Sequence, residues 1–307
     1  MEVSWMEFKN VDQVKNALRE AEYICSKTIA TVVYLAQATR KPVLVEGPAG
    51  VGKTELSKAV AGSLQRPLIR LQCYEGLDES KALYEWEYAK QLLYTQMVKE
   101  KIDDVISGAN TLSDAVDRIA SQEDAFFSER FIQPRPLLQA ITAPDPVVLL
   151  VDEVDKSDPE FEAFLLEVLS DFQISIPELG TREAVNIPFV FLTSNDSRDM
   201  SDALKRRCLH LYIDYPEREL ELEIVMLKIP GINNRLAEQL VDAIRKIRDL
   251  ELKKKPCISE TLDWAQSLIS LQVEDMSADV VRDTLSVICK YRSDVEQVKG
   301  KIDKIVN

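Results

Sequence analysis

Leu44-Val-Glu-Gly-Pro-Ala-Gly-Val-Gly-Lys-Thr54 decides how the rest of this chain is read. Gly47, Pro48, Ala49, Gly50, Val51, Gly52, Lys53 and Thr54 satisfy the pattern G-x-x-x-x-G-K-[ST] in the setting that gives it meaning. A β-type run, Val43 to Glu46, leads into it, and a stretch with helical apolar spacing at Leu56, Val60 and Leu64 follows. The residue types suit phosphate. Glycines let successive backbone N–H groups approach the oxygens, and the N-terminus of the following helix adds partial positive charge. Lys53 is expected to reach the β- and γ-phosphates, and the Thr54 hydroxyl to ligate Mg²⁺. A Gly-rich turn capping an ordinary helix is the competing reading, and the flanking strand and helix weigh against it.

Downstream, Val147-Val-Leu-Leu-Val151 is an apolar run ending in two adjacent carboxylates, Asp152 and Glu153. Ligands of open α/β sheets sit beyond the carboxyl ends of the strands, so Asp152 is placed to enter the Mg²⁺ shell and Glu153 to polarise a water aimed at the γ-phosphate. Two acids after a strand are not specific alone; the phosphate loop upstream gives them this reading. Ser157-Asp-Pro-Glu160 has the form of a capping box opening a helix through Phe161, Phe164, Leu165 and Val168.

Composition narrows the class. The 307 residues suffice for one large or two smaller domains with a substantial core. No apolar run approaches the roughly 20 residues of a membrane span, and Met1 to Phe8 lacks a basic region followed by a long apolar stretch, so a cytoplasmic protein is expected. Cys25, Cys73, Cys208, Cys257 and Cys289 are scattered, which suits reduced, buried thiols rather than disulfides or a zinc site. His210 is the only histidine, which argues against histidine-dependent catalysis. A formal net charge of −14 repels nucleic-acid backbones at long range and favours protein partners.

Residues 11 to 38 carry helical spacing, and after the phosphate-loop strand come four further β-type runs: Pro67 to Leu71, Val147 to Val151, Phe189 to Thr193 and Leu209 to Ile213. Their continuous apolar character suits parallel strands covered by helices on both faces, an α/β arrangement. Beyond Pro216 nothing strand-like remains, and Leu236, Leu240, Ile244 and Ile247 recur at helical spacing. The expected division is an α/β nucleotide-binding domain over 1–215 and an all-helical domain over 216–307.

These motifs resemble the AAA+ ATPases, and within them the MoxR group, especially the branch of carbon-monoxide-dehydrogenase maturation ATPases. The resemblance rests on an ordered set: the phosphate loop to Thr54, Cys73 to Trp86, Arg135-Pro-Leu-Leu-Gln139, Val151-Asp-Glu-Val-Asp155, Leu166 to Gly180, Leu192-Thr-Ser-Asn195 and Ser201 to Cys208. It implies a P-loop core with a five-stranded parallel sheet and a helical lid, the Walker A and Walker B elements being those just described. It also implies a homo-hexameric ring that hydrolyses ATP with Mg²⁺ to remodel a protein client or assist metal-cofactor insertion, beside a partner bearing a von Willebrand factor A domain.

The resemblance places Asn195 at the sensor 1 position, where an amide can orient the attacking water, although a loop asparagine capping a turn is the plainer alternative. Arg206 and Arg207 fall where such proteins carry the arginine finger, with Arg207 favoured; a guanidinium is permanently charged and bridges phosphate oxygens bidentately. Many lids of this family carry a sensor 2 arginine, but the corresponding stretch here, Ser259 to Trp264, has none, and Arg135 is a speculative substitute. Gln173 to Pro188 has the form of a hairpin before the sensor strand, and residues 95–130 that of a solvated helical insertion. Tyr74, Tyr84, Trp86 and Tyr88 suit either packing or a partner-facing loop. Tyr23 and Ile24 are guesses for the base pocket.

The expected function is Mg-dependent ATP hydrolysis driving protein remodelling. A nucleic-acid motor or loader would share the same catalytic residues. A nucleotide-gated binding module that does not hydrolyse ATP, and more distantly a small-molecule kinase, are the other classes.

Overall fold

Parallel strands buried on both faces need an apolar residue at nearly every position, and the central strands here have one. The computed structural model describes residues 6–97, 111, 129–176 and 180–306. Among them run nine strands: β1 (Val43–Glu46), β2 (Leu68–Gln72), β3 (Tyr84–Trp86), β4 (Ile132–Pro134), β5 (Val148–Asp152), β6 (Gln173–Ile176), β7 (Gly180–Glu183), β8 (Phe189–Ser194) and β9 (Leu209–Tyr212). Five form one parallel sheet in the order β2-β5-β8-β1-β9. All residues of β1, β5 and β8 are buried.

The two faces share these residues by strict alternation. Leu44, Leu149, Val151, Val190 and Leu192 pack on one side with Leu137, Phe161, Leu165 and Leu204. Val43, Val45, Val148, Leu150, Phe189 and Phe191 pack on the other with Val14, Leu18, Leu56 and Val60. The second face is covered by α1 (Val11–Glu20), α2 (Lys27–Thr39) and α3 (Lys53–Leu64). The single helical stretch expected over 11 to 38 is therefore two helices. The break has a local cause: Glu22 turns the chain with φ 56°, and the Ser26 hydroxyl caps α2 by accepting from Ile29 N–H at 3.2 Å.

The helix after the Walker B strand spans Pro159–Asp171, one position later than a capping box at Ser157 requires. Its N-cap is Asp158, with no side-chain cap bond, and the Ser157 hydroxyl instead donates to Val154 O at 2.7 Å. Proline at the first helical position accounts for the start, since the missing N–H needs no partner there. β6 and β7 pair as the antiparallel hairpin expected before β8, although its turn, residues 177–179, lies outside the described residues, as does most of the insertion expected at 95–130. β3 and β4 form a second antiparallel ribbon.

From Arg218 onward the described residues are helices and connecting turns. Their core is their own: Val225, Leu236, Leu240, Ile244, Trp264, Leu268, Val281 and Leu285 pack together, with the Trp264 indole N–H donating to the Thr284 hydroxyl at 2.7 Å. Helix Arg218–Lys228 meets α1 and its flank through exposed ion pairs, Arg19 with Glu223 and Lys228 with Glu22 at 3.0 Å. Exposed pairs of this kind are worth about 0–1 kcal/mol each, so this contact is cheap to open. No helix among the described residues is long and apolar enough to cross a membrane.

Candidate active site

The strand ends gather the polar side chains that the motifs select. The loop between β1 and α3 is folded by glycines at φ 143° (Gly47), 75° (Gly50) and 96° (Gly52), a region that disfavours side chains. Space is equally restrictive. A Cβ on Gly47 would lie 2.0 Å from Ile213 O, and one on Gly50 would lie 2.0 Å from Cys257 Sγ. The second distance shows that the helical C-terminal region touches the phosphate loop directly.

Lys53, at the start of α3, is 6% exposed and donates from Nζ to Gly47 O at 2.7 Å, Pro48 O at 2.6 Å and Asn195 Oδ1 at 2.9 Å. All three ammonium donors are therefore engaged with acceptors that a phosphate could replace. Burial pushes this ammonium below the ordinary lysine range, against the opposing pull of Asp155, Asp152 and Glu153.

Asp152 closes β5 and is 2% exposed. Its Oδ1 accepts from the Thr54 hydroxyl at 2.9 Å and the Thr193 hydroxyl at 2.5 Å, and its Oδ2 from Arg70 Nη2 at 2.5 Å. Thr54 and Asp152 thus present hard oxygen donors side by side next to the phosphate loop, which fits a Mg²⁺ shared with substrate phosphates.

Glu153 follows in the left-handed region, φ 56° and ψ 49°, a conformation that costs a residue with a side chain about 1–2 kcal/mol. Its surroundings hold it there. Glu153 N–H donates to the Thr193 hydroxyl at 2.9 Å. Its Oε1 accepts from Asn195 Nδ2 at 3.2 Å, while Oε2 accepts from Gln72 Nε2 at 2.8 Å and Lys156 Nζ at 2.7 Å. A strained backbone at a carboxylate aimed into a pocket is the pattern of a functional residue. Asn195, immediately after β8, bridges Lys53 and Glu153 with the two ends of one amide, so it is not merely a turn cap.

A pocket of about 260 Å³ is lined by Ala49, Lys53, Thr54, Asp152, Glu153, Thr193, Asn195 and Ser259. It adjoins a larger, mostly apolar cavity of about 530 Å³ lined by Tyr23, Ile24, Val51, Ile213, Tyr215, Leu220 and Ile258 among others. Gly50, Gly52, Glu55 and Ser259 face both spaces. The two guesses for the base pocket, Tyr23 and Ile24, lie on this second cavity.

Other sequence-selected residues fall elsewhere. Arg206 and Arg207 end helix Asp202–Arg207, are exposed, and line neither cavity. Arg207 Nε donates to the Ser170 hydroxyl at 2.6 Å, whereas Arg206 has no hydrogen bond among the described residues. Arg135 does not line the nucleotide pocket of its own chain: it is the N-cap of helix Pro136–Ile141 and pairs with Glu85. The stretch expected at sensor 2 lies in helix Ile258–Ser270, whose Ser259 reaches the pocket in place of an arginine. The aromatic set divides: Tyr84 and Trp86 pack on the sheet core, while Tyr74 and Tyr88 are exposed. All five cysteines are buried and unpaired.

Sequence reading missed Arg70, Gln72, Thr193 and Asp155. Register explains the first two. Gln72 is the direct β2 partner of Asp152, so polar residues at the end of β2 necessarily reach the Walker B acids. Their polarity in an otherwise apolar strand was the available signal.

Comparison with known proteins agrees with this geometry. Gas vesicle ATPase GvpN of Haloferax mediterranei is 25% identical over 277 residues, 87% of this chain and 74% of that protein. GvpN of Ancylobacter aquaticus is 23% identical over 263 residues, covering 78% and 63% respectively. Among solved structures, a variant of RuvB from Thermotoga maritima superposes with a TM-score of 0.51 at 18% identity, over 90% of this chain and 73% of that one, a likeness of fold. The model of the AAA domain (dynein-related subfamily) matches residues 42–208, which run from β1 through β8 and helix Asp202–Arg207 and stop just before β9. The chain therefore belongs to the AAA ATPases of the dynein-related subfamily, proteins that bind and hydrolyse ATP with Mg²⁺.

Proposed function

We propose that this chain assembles into a homo-hexameric ring of MoxR type and couples ATP hydrolysis to remodelling of a protein client. In this reading, residues 1–215 form the nucleotide-binding domain and 216–307 its lid. Adenine occupies the apolar cavity beside Tyr23 and Tyr215, and the phosphates lie along the loop. Lys53 exchanges its contacts with Gly47 and Pro48 for phosphate oxygens. Thr54 and Asp152 hold Mg²⁺, which when bound neutralises phosphate charge. Asn195 positions a water, Glu153 accepts its proton as the oxygen attacks the γ-phosphorus, and the β-phosphate oxygen leaves.

One observation carries the ring: Lys53, Thr54, Asp152, Glu153 and Asn195 meet in a single pocket, while Arg206 and Arg207 stand exposed outside it. A finger supplied by a neighbour completes such a site. Loss of the γ-phosphate then releases contacts among core, lid and neighbour, which turns chemistry into subunit motion. The GvpN relatives, named as gas vesicle ATPases, support the ATPase part of this reading. The resemblance to carbon-monoxide-dehydrogenase maturation ATPases suggests metalloenzyme maturation as the client process, and a partner with a von Willebrand factor A domain. The net charge of −14 disfavours the nucleic-acid alternative.

The test is the hydrolysis rate per subunit over a wide range of protein concentration with Mg²⁺. A rate that climbs and then levels off is expected. A rate per subunit independent of concentration down to the monomer would discard the shared site, and tight ATP binding with no turnover would favour the nucleotide-gated binding module.

A further inference from the structure

Seven residues, Asn195 to Ser201, connect the amide in the nucleotide pocket to the helix bearing Arg206 and Arg207. Loops of this length usually carry exposed, loosely held backbone. This one is anchored at Asn195, Ser197, Arg198 and Ser201 by two buried carboxylates. Asp155 Oδ2 accepts from Asn195 N–H at 3.2 Å, Ser197 N–H at 3.2 Å and the Ser197 hydroxyl at 2.5 Å. Glu162 accepts from Arg198 Nη1 at 2.9 Å on Oε2 and from Ser201 N–H at 2.7 Å on Oε1. Arg198 Nη2 also donates to Ser157 O at 3.0 Å.

The anchors themselves belong to the Walker B side of the molecule. Asp155 lies two residues after Glu153, and Glu162 sits on helix Pro159–Asp171. At its far end that helix offers the Ser170 hydroxyl to Arg207. Ser201, held by Glu162 through its N–H, is the N-cap of the finger helix, its hydroxyl accepting from Leu204 N–H at 3.3 Å. Hydrogen bonds therefore run from Lys53 to Asn195, from Asn195 and Ser197 to Asp155, and from Arg198 and Ser201 to Glu162, and the backbone of residues 195–201 joins these steps to helix Asp202–Arg207.

Both carboxylates are more than nine-tenths buried, so their bonding is a matter of consequence. Burial alone would push the Glu162 carboxyl up, but hydrogen bonds from Ser201 and Arg198 outweigh it and hold it below the usual range. Neither anchor is complete: Asp155 Oδ1 and Arg198 Nε are both buried without a hydrogen-bond partner among the described residues.

We propose that Asp155 and the Glu162–Arg198 pair are positioning residues that tie Asn195 in a subunit's own pocket to the arginine helix it offers the next subunit. The proposal rests on the ring reading above and adds direction to it. Through residues 195–201 these side chains set where the arginine helix stands toward the neighbouring site.

Mixed assemblies test this. Finger-donor subunits carry Glu153→Gln and keep their arginines; site-bearing subunits carry Arg206→Ala with Arg207→Ala and keep Glu153. Mixing the two should restore turnover, because complementary halves form intact sites. Glu162→Gln is then added to one kind of subunit at a time. Placed in the finger donor, it should lower the restored kcat at least about tenfold with KM for ATP unchanged; placed in the site-bearing subunit, whose fingers are already gone, it should cost less than about threefold. Equal losses in both placements, or no loss in either, would overturn the relay while leaving the shared site standing. Failure of the parent mixture to recover any turnover would remove the ring reading, and the relay with it. Arg198→Gln, at a partly exposed side chain, repeats the asymmetry should Glu162→Gln not fold, and Arg198→Lys should recover part of the rate.

Discussion

Two buried acid–base clusters in this molecule look alike in composition and differ in kind. One is the strand-end set of Lys53, Asp152, Glu153 and Asn195. The other lies in the helical half, where Arg248 donates to Glu221 through Nη1 at 2.6 Å and Nη2 at 2.8 Å. Arg248 also donates from Nε to Pro256 O at 2.8 Å and from Nη2 to the Thr261 hydroxyl at 3.2 Å, and it lies 4.7 Å from the Tyr215 ring centroid. In the second cluster both charges are sealed in, with side chains 8% and 0% exposed, and the guanidinium fork is matched by one carboxylate. In the first, Lys53 is held by loop carbonyls, the acids by amides and a half-exposed Arg70, and the whole set opens onto a pocket.

Burial and charge alone thus do not mark a site. What marks one is partners that a ligand can replace, next to space for that ligand. The sealed cluster instead joins Glu221, Thr261 and Tyr215, and so fixes how the helical half is built around the segment that follows β9.

The largest expected effect separates the two clusters directly. Glu153→Gln should lower turnover by about 10² to 10⁴ while ATP stays bound and the urea midpoint is unmoved. Turnover within tenfold of the parent would make the strand-end cluster as structural as the other. Arg248→Met should do the opposite. It strands the Glu221 carboxylate in an apolar interior and should cost about 3–5 kcal/mol of unfolding free energy, most of it regained when Glu221→Gln is added. A cost below about 1 kcal/mol in the single variant would show that the pair is not sealed as described.

Acid sharpens the contrast at smaller scale. Burial would raise the Glu260 carboxyl, but the Cys257 thiol and N–H together with Lys254 outweigh it and hold it below the usual range. A carboxyl lowered on folding adds stability that is complete above its unfolded value of about 4.3 and is lost as pH falls through the folded value. The melting temperature should therefore drop as pH falls from about 5 toward about 3, and Glu260→Gln should flatten that dependence. An unchanged slope in the variant would show that the contacts of Glu260 with Cys257 and Lys254 contribute no linked stability.

The smallest effect concerns aim rather than integrity. Gln72 donates to Glu153 Oε2 and is one of three side chains that hold this carboxylate. Gln72→Ala should lower kcat by about two- to fivefold with KM unchanged, since Lys156 and Asn195 still hold the carboxylate. A kcat equal to the parent's would show that Gln72 takes no part in aiming Glu153.

Local patterns made the phosphate loop, the Walker B acids and the five-strand sheet legible, because each depends on residues close together in the chain. Glycines are needed where the loop folds back on Ile213, and apolar runs are needed where a strand has helices on both sides. Asn195 and the arginine pair were found through resemblance; composition offered only a turn and a basic helix end. The capping box at Ser157 and the unbroken helix over 11 to 38 failed for local reasons too, as Pro159 and Ser26 chose different caps.

What no pattern along the chain announces is pairing across it. Gln72 meets Glu153 over 81 positions, Asn195 meets Lys53 over 142, and Cys257 comes to rest against Gly50. Periodicity reports which face of an element is apolar, whereas these contacts depend on strand register and on how the helical half docks. Packing of the whole molecule sets both, so the chain's own motifs name the chemistry, and the folded arrangement chooses which polar residues hold it or seal it away.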